Sequence, residues 1–161
     1  MGDHDDFRDE ATQFAEPRSG TSAQLCQLHY RPLVRLAALL IGDAAAAEEI
    51  AVDALTTVAL REGHNAADVL ALLQREVVTR CRRSRHYLRV AQKRRLAGGE
   101  FEQLPVVQAL RGLHASLREA VVLTLYLDLP EARAAAIAGI SEAALRANVS
   151  AAMQTLDSQV I

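Results

Sequence analysis

The chain has 161 residues, half of them hydrophobic but only 4% aromatic, with no Trp, and carries 18 basic against 20 acidic residues for a formal net charge of −2. Ala and Leu dominate and β-branched runs are missing, a composition that favours packed helices over sheet in one ordinary domain or two very small ones. The longest apolar stretch, Leu36 to Ile41, excludes a membrane span and the acidic start excludes a signal peptide, so the chain is expected in the cytoplasm.

Residues 1–20 predict a disordered acidic tail: from Met1 to Glu16, Asp3, Asp5, Asp6, Asp9, Glu10 and Glu16 stand against Arg8 alone, and Pro17 and Gly20 close the segment. Thr21 or Ser22 is the expected N-cap of a helix carrying Leu25, Leu28, Leu33, Leu36 and Leu40 up to a stop at Gly42-Asp43. Pro32 is expected to kink or divide it. A second helix is predicted from about Ala44 to Leu60, with Asp43 as cap, Glu48 and Glu49 near its positive end, and Ile50, Ala54, Leu55 and Val58 as its apolar stripe. Beyond Gly63-His64-Asn65, Asn65 is placed to cap a long third helix through Val69, Leu72, Leu73, Val77 and Cys81.

That helix runs into the strongest charge asymmetry in the chain. Between Arg75 and Arg95, nine bases (Arg75, Arg80, Arg82, Arg83, Arg85, Arg89, Lys93, Arg94 and Arg95) face only Glu76. Arg and Lys neutralise phosphates and release counterions whatever the sequence, so the segment is suited to a polyanion or to masking by an acidic partner. Residues 96–105, with Gly98-Gly99, read as a linker. Short helices follow near 106–113, 116–126, 130–138 and 142–157, with Pro130 suited to a first turn and Ser141 to a cap.

Ala135, Gly139, Leu145 and Val149 fall at helix-turn-helix spacing: a small residue for close approach, a glycine for positive φ, and apolar residues to seat the second helix. Cys26 and Cys81 lie far apart, outside any CxxC pair, and are expected to be buried, reduced thiols. There is no Gly-rich phosphate loop, HExxH, GxSxG or paired Cys/His site. The sequence thus nominates no catalytic residue, metal, cofactor or small-molecule substrate, and the chain is not read as an enzyme.

Two separated motifs resemble the extracytoplasmic-function (ECF) sigma factors. One is Tyr30-Arg31-Pro32-Leu33-Val34-Arg35-Leu36-Ala37, Gly42-Asp43, Ala47-Glu48-Glu49-Ile50 and Asp53-Ala54, similar to the start of domain two. The other is Leu117 to Leu123, Tyr126-Leu127-Asp128-Leu129 and Ile137-Ala138-Gly139-Ile140-Ser141-Glu142, similar to domain four. The resemblance implies an all-α fold of two small helical domains, a domain-two-like region at 21–95 and a helix-turn-helix domain at 106–161, joined by residues 96–105.

It further implies a protein that binds core RNA polymerase and promoter DNA and directs promoter-specific initiation, with an anti-sigma factor as a further partner the family allows. Carried over by position, Glu48, Glu49 and Asp53 belong to the polymerase-binding surface. Arg82, Arg83, Arg85, Arg89, Lys93, Arg94 and Arg95 belong to the DNA-facing end of domain two, and Arg146, Asn148, Ser150 and Gln154 to the recognition helix. The chain departs from the family pattern at Val52, Leu55, Leu72, Leu73 and Thr79, and its last helix carries Arg146 as its single base, with Ala147 and Ala151 at positions expected to be polar. From Phe101 onward six acids outnumber four bases. These departures define the alternative, a sigma-like regulator that contacts polymerase or another sigma factor without reading promoters autonomously.

Overall fold

The computed structural model describes residues 18–61, 66–92 and 99–159, and among them the chain is all-helical, with no strand. Helix α1 (Arg18–Ile41) and helix α2 (Ala44–Ala59) form a hairpin. Gly42 turns the chain with φ 73°, its N–H donating to Ala38 O at 2.7 Å. Asp43 caps α2 as expected, its Oδ1 accepting the Ala46 N–H at 2.9 Å.

Pro32 does not divide α1, contrary to the sequence expectation: it lies inside one helix of 24 residues. Proline has no N–H for the carbonyl of Leu28, but Leu28 and Pro32 are both exposed, where water can meet the freed oxygen. On the opposite face Leu33, Leu36 and Leu40 are at most 1% exposed. Burying three leucines, each worth about 1.5–3 kcal/mol, outweighs the roughly 3 kcal/mol cost of the proline. The helix also begins at Arg18, inside the segment expected to be a tail, and ahead of Thr21 and Ser22; residues 1–17 lie outside the described residues.

Helix α3 (Ala66–Gln92) packs on both members of the hairpin through Val69, Leu73, Val77 and Cys81. Its expected cap, Asn65, lies outside the described residues. Cys81 is buried as expected, whereas Cys26 is exposed, because α1 presents that side to solvent before the other helices cover it. A 3₁₀ turn (Phe101–Gln103) then leads into α4 (Pro105–Gly112) and α5 (Ala115–Val121), which runs directly into a π-helical turn at Val122–Tyr126. Helix α6 (Glu131–Ala138) and helix α7 (Glu142–Gln159) close the chain.

The α6–α7 corner is a Schellman turn. Gly139 has φ 69°, and the N–H groups of Ile140 and Gly139 donate to Ala135 O and Ala136 O at 3.1 and 3.3 Å. Ser141 Oγ then accepts the Ala144 N–H at 3.1 Å. Ala135 and Leu145 are buried and Val149 half-buried, as the spacing predicts.

Early and late helices share one apolar core. Leu36 and Leu40 of α1 and Val77 of α3 belong to the same cluster as Leu110, Leu123, Ile137 and Leu145. Helix α1 meets α4 and α5, and α3 meets α6. The end of the segment expected to be a linker is itself docked: Glu102 Oε1 accepts the Ala44 N–H at 3.2 Å, at the positive end of α2, and Phe101 packs against the core.

Candidate functional site

Helix α2 separates two faces. Ala47, Ile50, Ala51, Ala54, Leu55 and Val58 turn inward, and the helical period leaves Glu48, Glu49, Val52, Asp53 and Thr56 exposed on the other side. The structure thus brings Glu48, Glu49 and Asp53 together on one solvent-facing surface. Asp53 is also held from α3: Arg80 Nη1 donates to its Oδ2 at 3.3 Å, while Arg80 Nε bonds Glu76 at 3.0 Å and Nη2 bonds Thr57 Oγ1 at 2.7 Å.

The basic segment divides. Arg83 is exposed. Arg82 is not a free cation: its Nε lies 3.1 and 3.2 Å from the two carboxylate oxygens of Glu119, and its Nη2 donates at 2.7 Å to Glu119 Oε2 and at 2.6 Å to Ala138 O. The Glu119 side chain is 5% exposed and that of Arg82 43%. The Glu119 hydrogen bond raises the Arg82 pKa above arginine's ordinary value, with burial opposing and the Glu119 charge adding. Arg85 and Arg89 lie on the last turns of α3 with side chains outside the described set, and Lys93, Arg94 and Arg95 lie outside the described residues.

On α7 the residues nominated for groove contact do not share one face. Arg146, Ser150 and Gln154 are exposed along one side, with Met153 between them, whereas Asn148 is half-buried beside Leu145, Val149 and Ala152. Arg146 Nη1 donates to Glu131 Oε2 at 2.6 Å, joining α7 to the start of α6. Ala143, Ala144 and Ala147, also exposed, add no hydrogen-bonding side chains beside Arg146.

Sequence reasoning placed Leu117-Arg118-Glu119 in a motif without giving the polar pair a task. Arg118 donates from Nε to Leu110 O at 2.6 Å and from Nη1 to Leu40 O at 2.7 Å, while its Nη2 serves Arg111 O and Leu113 O, both at 3.1 Å. One guanidinium therefore closes the C-terminal ends of α4 and α1 together. Glu119 takes Arg82 in the same way, so adjacent residues on α5 grip α1 and α3. The signal was available in part, because Glu119 shares the helix face of the apolar Leu123 and a buried carboxylate there requires a partner.

Among the described residues no helix is long and apolar enough to cross a membrane. No protein-family model matches the chain, and no curated protein does. Among solved structures it is similar to the co-crystal structure of the sigma factor RpoE in complex with the anti-sigma factor NepR from Bartonella quintana. The similarity has a TM-score of 0.60 at 22% sequence identity and covers 86% of this chain and 95% of that one. The chain therefore has the all-helical fold of a sigma factor, built here around a paired acidic and basic grip on α5.

Proposed function

We propose that this chain is an ECF-like sigma factor that binds core RNA polymerase and directs promoter-specific transcription initiation, without catalysing a reaction. The observation that carries this reading is the sigma-factor fold spanning most of the chain. Residues 21–95 form the polymerase-binding half and residues 106–161 the promoter-reading half, with 96–105 between them. The exposed surface of Glu48, Glu49 and Asp53 suits a polymerase contact, and the Schellman corner at Gly139 suits a helix-turn-helix. An anti-sigma factor is a fitting further partner, since RpoE was solved with one.

Capture of core polymerase by the tagged full chain tests the reading. Glu49→Lys with Asp53→Lys is expected to weaken capture at least tenfold while far-UV helicity stays unchanged, because the Arg80–Asp53 pair it breaks is exposed and worth at most about 1 kcal/mol. Equal capture by wild type and variant would remove this surface from the proposal.

A second reading, a sigma-like regulator acting by contact alone, is favoured by one observation: the one base on α7, Arg146, is already bonded to Glu131, and Ala143, Ala144 and Ala147 stand exposed beside it. Reconstituted transcription separates the two. Discrete promoter-dependent starts support the first, and polymerase binding without initiation supports the second.

A further inference from the structure

We propose that Arg82 and Glu119 form a latch that holds the early and late helices closed and withholds Arg82 from nucleic acid, so that closure and DNA contact by Arg82 exclude one another. The inference rests on the reading of Arg82 as a DNA-facing residue. Its Nε and Nη2 form the side-on donor pair of a bidentate grip on a phosphate, and both are engaged by Glu119, while Nη2, which the end-on grip also needs, is further held by Ala138 O. A phosphate reaching Arg82 in the closed chain would also stand beside the Glu119 carboxylate and be repelled by it.

Glu119 cannot swing aside to make room, since its side chain is 5% exposed. Arg82, at 43% exposed, could turn outward alone only by leaving the buried Glu119 carboxylate without its arginine, a costly state, so its release is coupled to withdrawal of α5 and α6 from α3. The bond from Arg82 Nη2 to Ala138 O extends the grip to the last turn of α6, one residue before the Gly139 corner, where a cation also meets the negative helix end. Withdrawal of α5 also breaks the Arg118 bond to Leu40 O, so opening is a concerted event.

The α2 face of Glu48, Glu49 and Asp53 remains exposed in the closed chain. Polymerase can therefore be met first, with DNA contact by Arg82 reserved for the opened form. Apparent DNA affinity is then reduced by the fraction of molecules that are open.

The test uses the full chain with dyes at Thr56→Cys on α2 and Asp157→Cys on α7, in a Cys26→Ser background, read by energy transfer and by anisotropy against a duplex over a range of salt. Glu119→Gln, which keeps the shape and removes the charge, is expected to lower transfer, to tighten DNA binding at least threefold, and to steepen the slope of log affinity against log salt by about 0.9 for one added phosphate. Adding Arg82→Ala to that variant should leave transfer low and return the slope to the wild-type value. Should Glu119→Gln lose helicity, Arg82→Lys, which keeps the charge without the fork, provides the same fall in transfer.

Unchanged transfer in both single variants overturns the latch. A fall in transfer with an unchanged salt slope overturns the exclusion. Capture of core polymerase is expected to be equal for wild type and Glu119→Gln, and its absence from both would overturn the proposed function while transfer and slope still decide the latch.

Discussion

Replacing Arg118 with Met keeps the aliphatic stem and removes every guanidinium donor from the junction of α1, α4 and α5. The bonds to Leu110 O at 2.6 Å and Leu40 O at 2.7 Å are short and charge-assisted, whereas Nη2 divides itself between Arg111 O and Leu113 O at 3.1 Å. Leu110 O keeps the Leu113 N–H at 3.1 Å after the change, but Leu40 O sits in the last turn of α1, beyond the reach of the helix's own donors. Counting about 1.5 kcal/mol for each short bond and about 1 kcal/mol for the shared donor, the loss comes to about 4 kcal/mol. For a chain of this length that lowers the melting temperature by about 10 °C.

Thermal and urea unfolding followed by far-UV circular dichroism provide the measurement, with an unchanged urea m-value as the check that the unfolded state is the same. Arg118→Lys, a point charge able to reach one carbonyl at a time, should recover about half of the loss. A Met variant within about 1 kcal/mol of wild type, the range of an ordinary surface substitution, would refute the assignment of Arg118 as the group that joins these helix ends.

Two further outcomes concern the turns and the basic helix. Gly42→Ala and Gly139→Ala both force a side chain into the left-handed region, at about 1–2 kcal/mol each. Gly42→Ala should cost more in urea unfolding, because its Cβ would lie 2.8 Å from Arg111 Cγ while that of Gly139 meets nothing within 4 Å. Arg83→Ala should flatten the salt dependence of DNA affinity by about 0.9 in log–log slope if it contacts one phosphate. Arg146→Ala should flatten it by less, since the Arg146 guanidinium is already occupied by Glu131.

The parts of the fold that were legible in advance rest on signals a few residues long. Asp43 and Ser141 each accept an N–H three residues ahead, and Gly139 supplies a positive φ at a corner. Pro32 misled because its penalty is local while the burial of Leu33, Leu36 and Leu40 that overrides it is tertiary. Cys26 was expected inside on residue type alone, which carries no information about which stretch of α1 the other helices cover.

The basic segment was visible as charge, but charge does not announce its partner. Nothing local links Arg82 to a carboxylate 37 positions later, or Arg118 to a carbonyl 78 positions earlier. For the same reason Glu48, Glu49 and Asp53 could be placed on one face from the helical period, whereas the bond between Asp53 and Arg80 required the packing of α2 on α3.

The bonds of Arg118 to positions 40, 110, 111 and 113 all go to main chain. Any residue at positions 40, 110, 111 or 113 presents the same carbonyl, so the side chains there can change without compensating change at Arg118. A junction of this kind is blind to the identity of what it joins. Burial still holds Leu40, Leu110 and Leu113 to apolar residues, but which apolar residue stands at each is no concern of Arg118, so the fastening of the helix ends and the filling of the core are separate demands on the sequence.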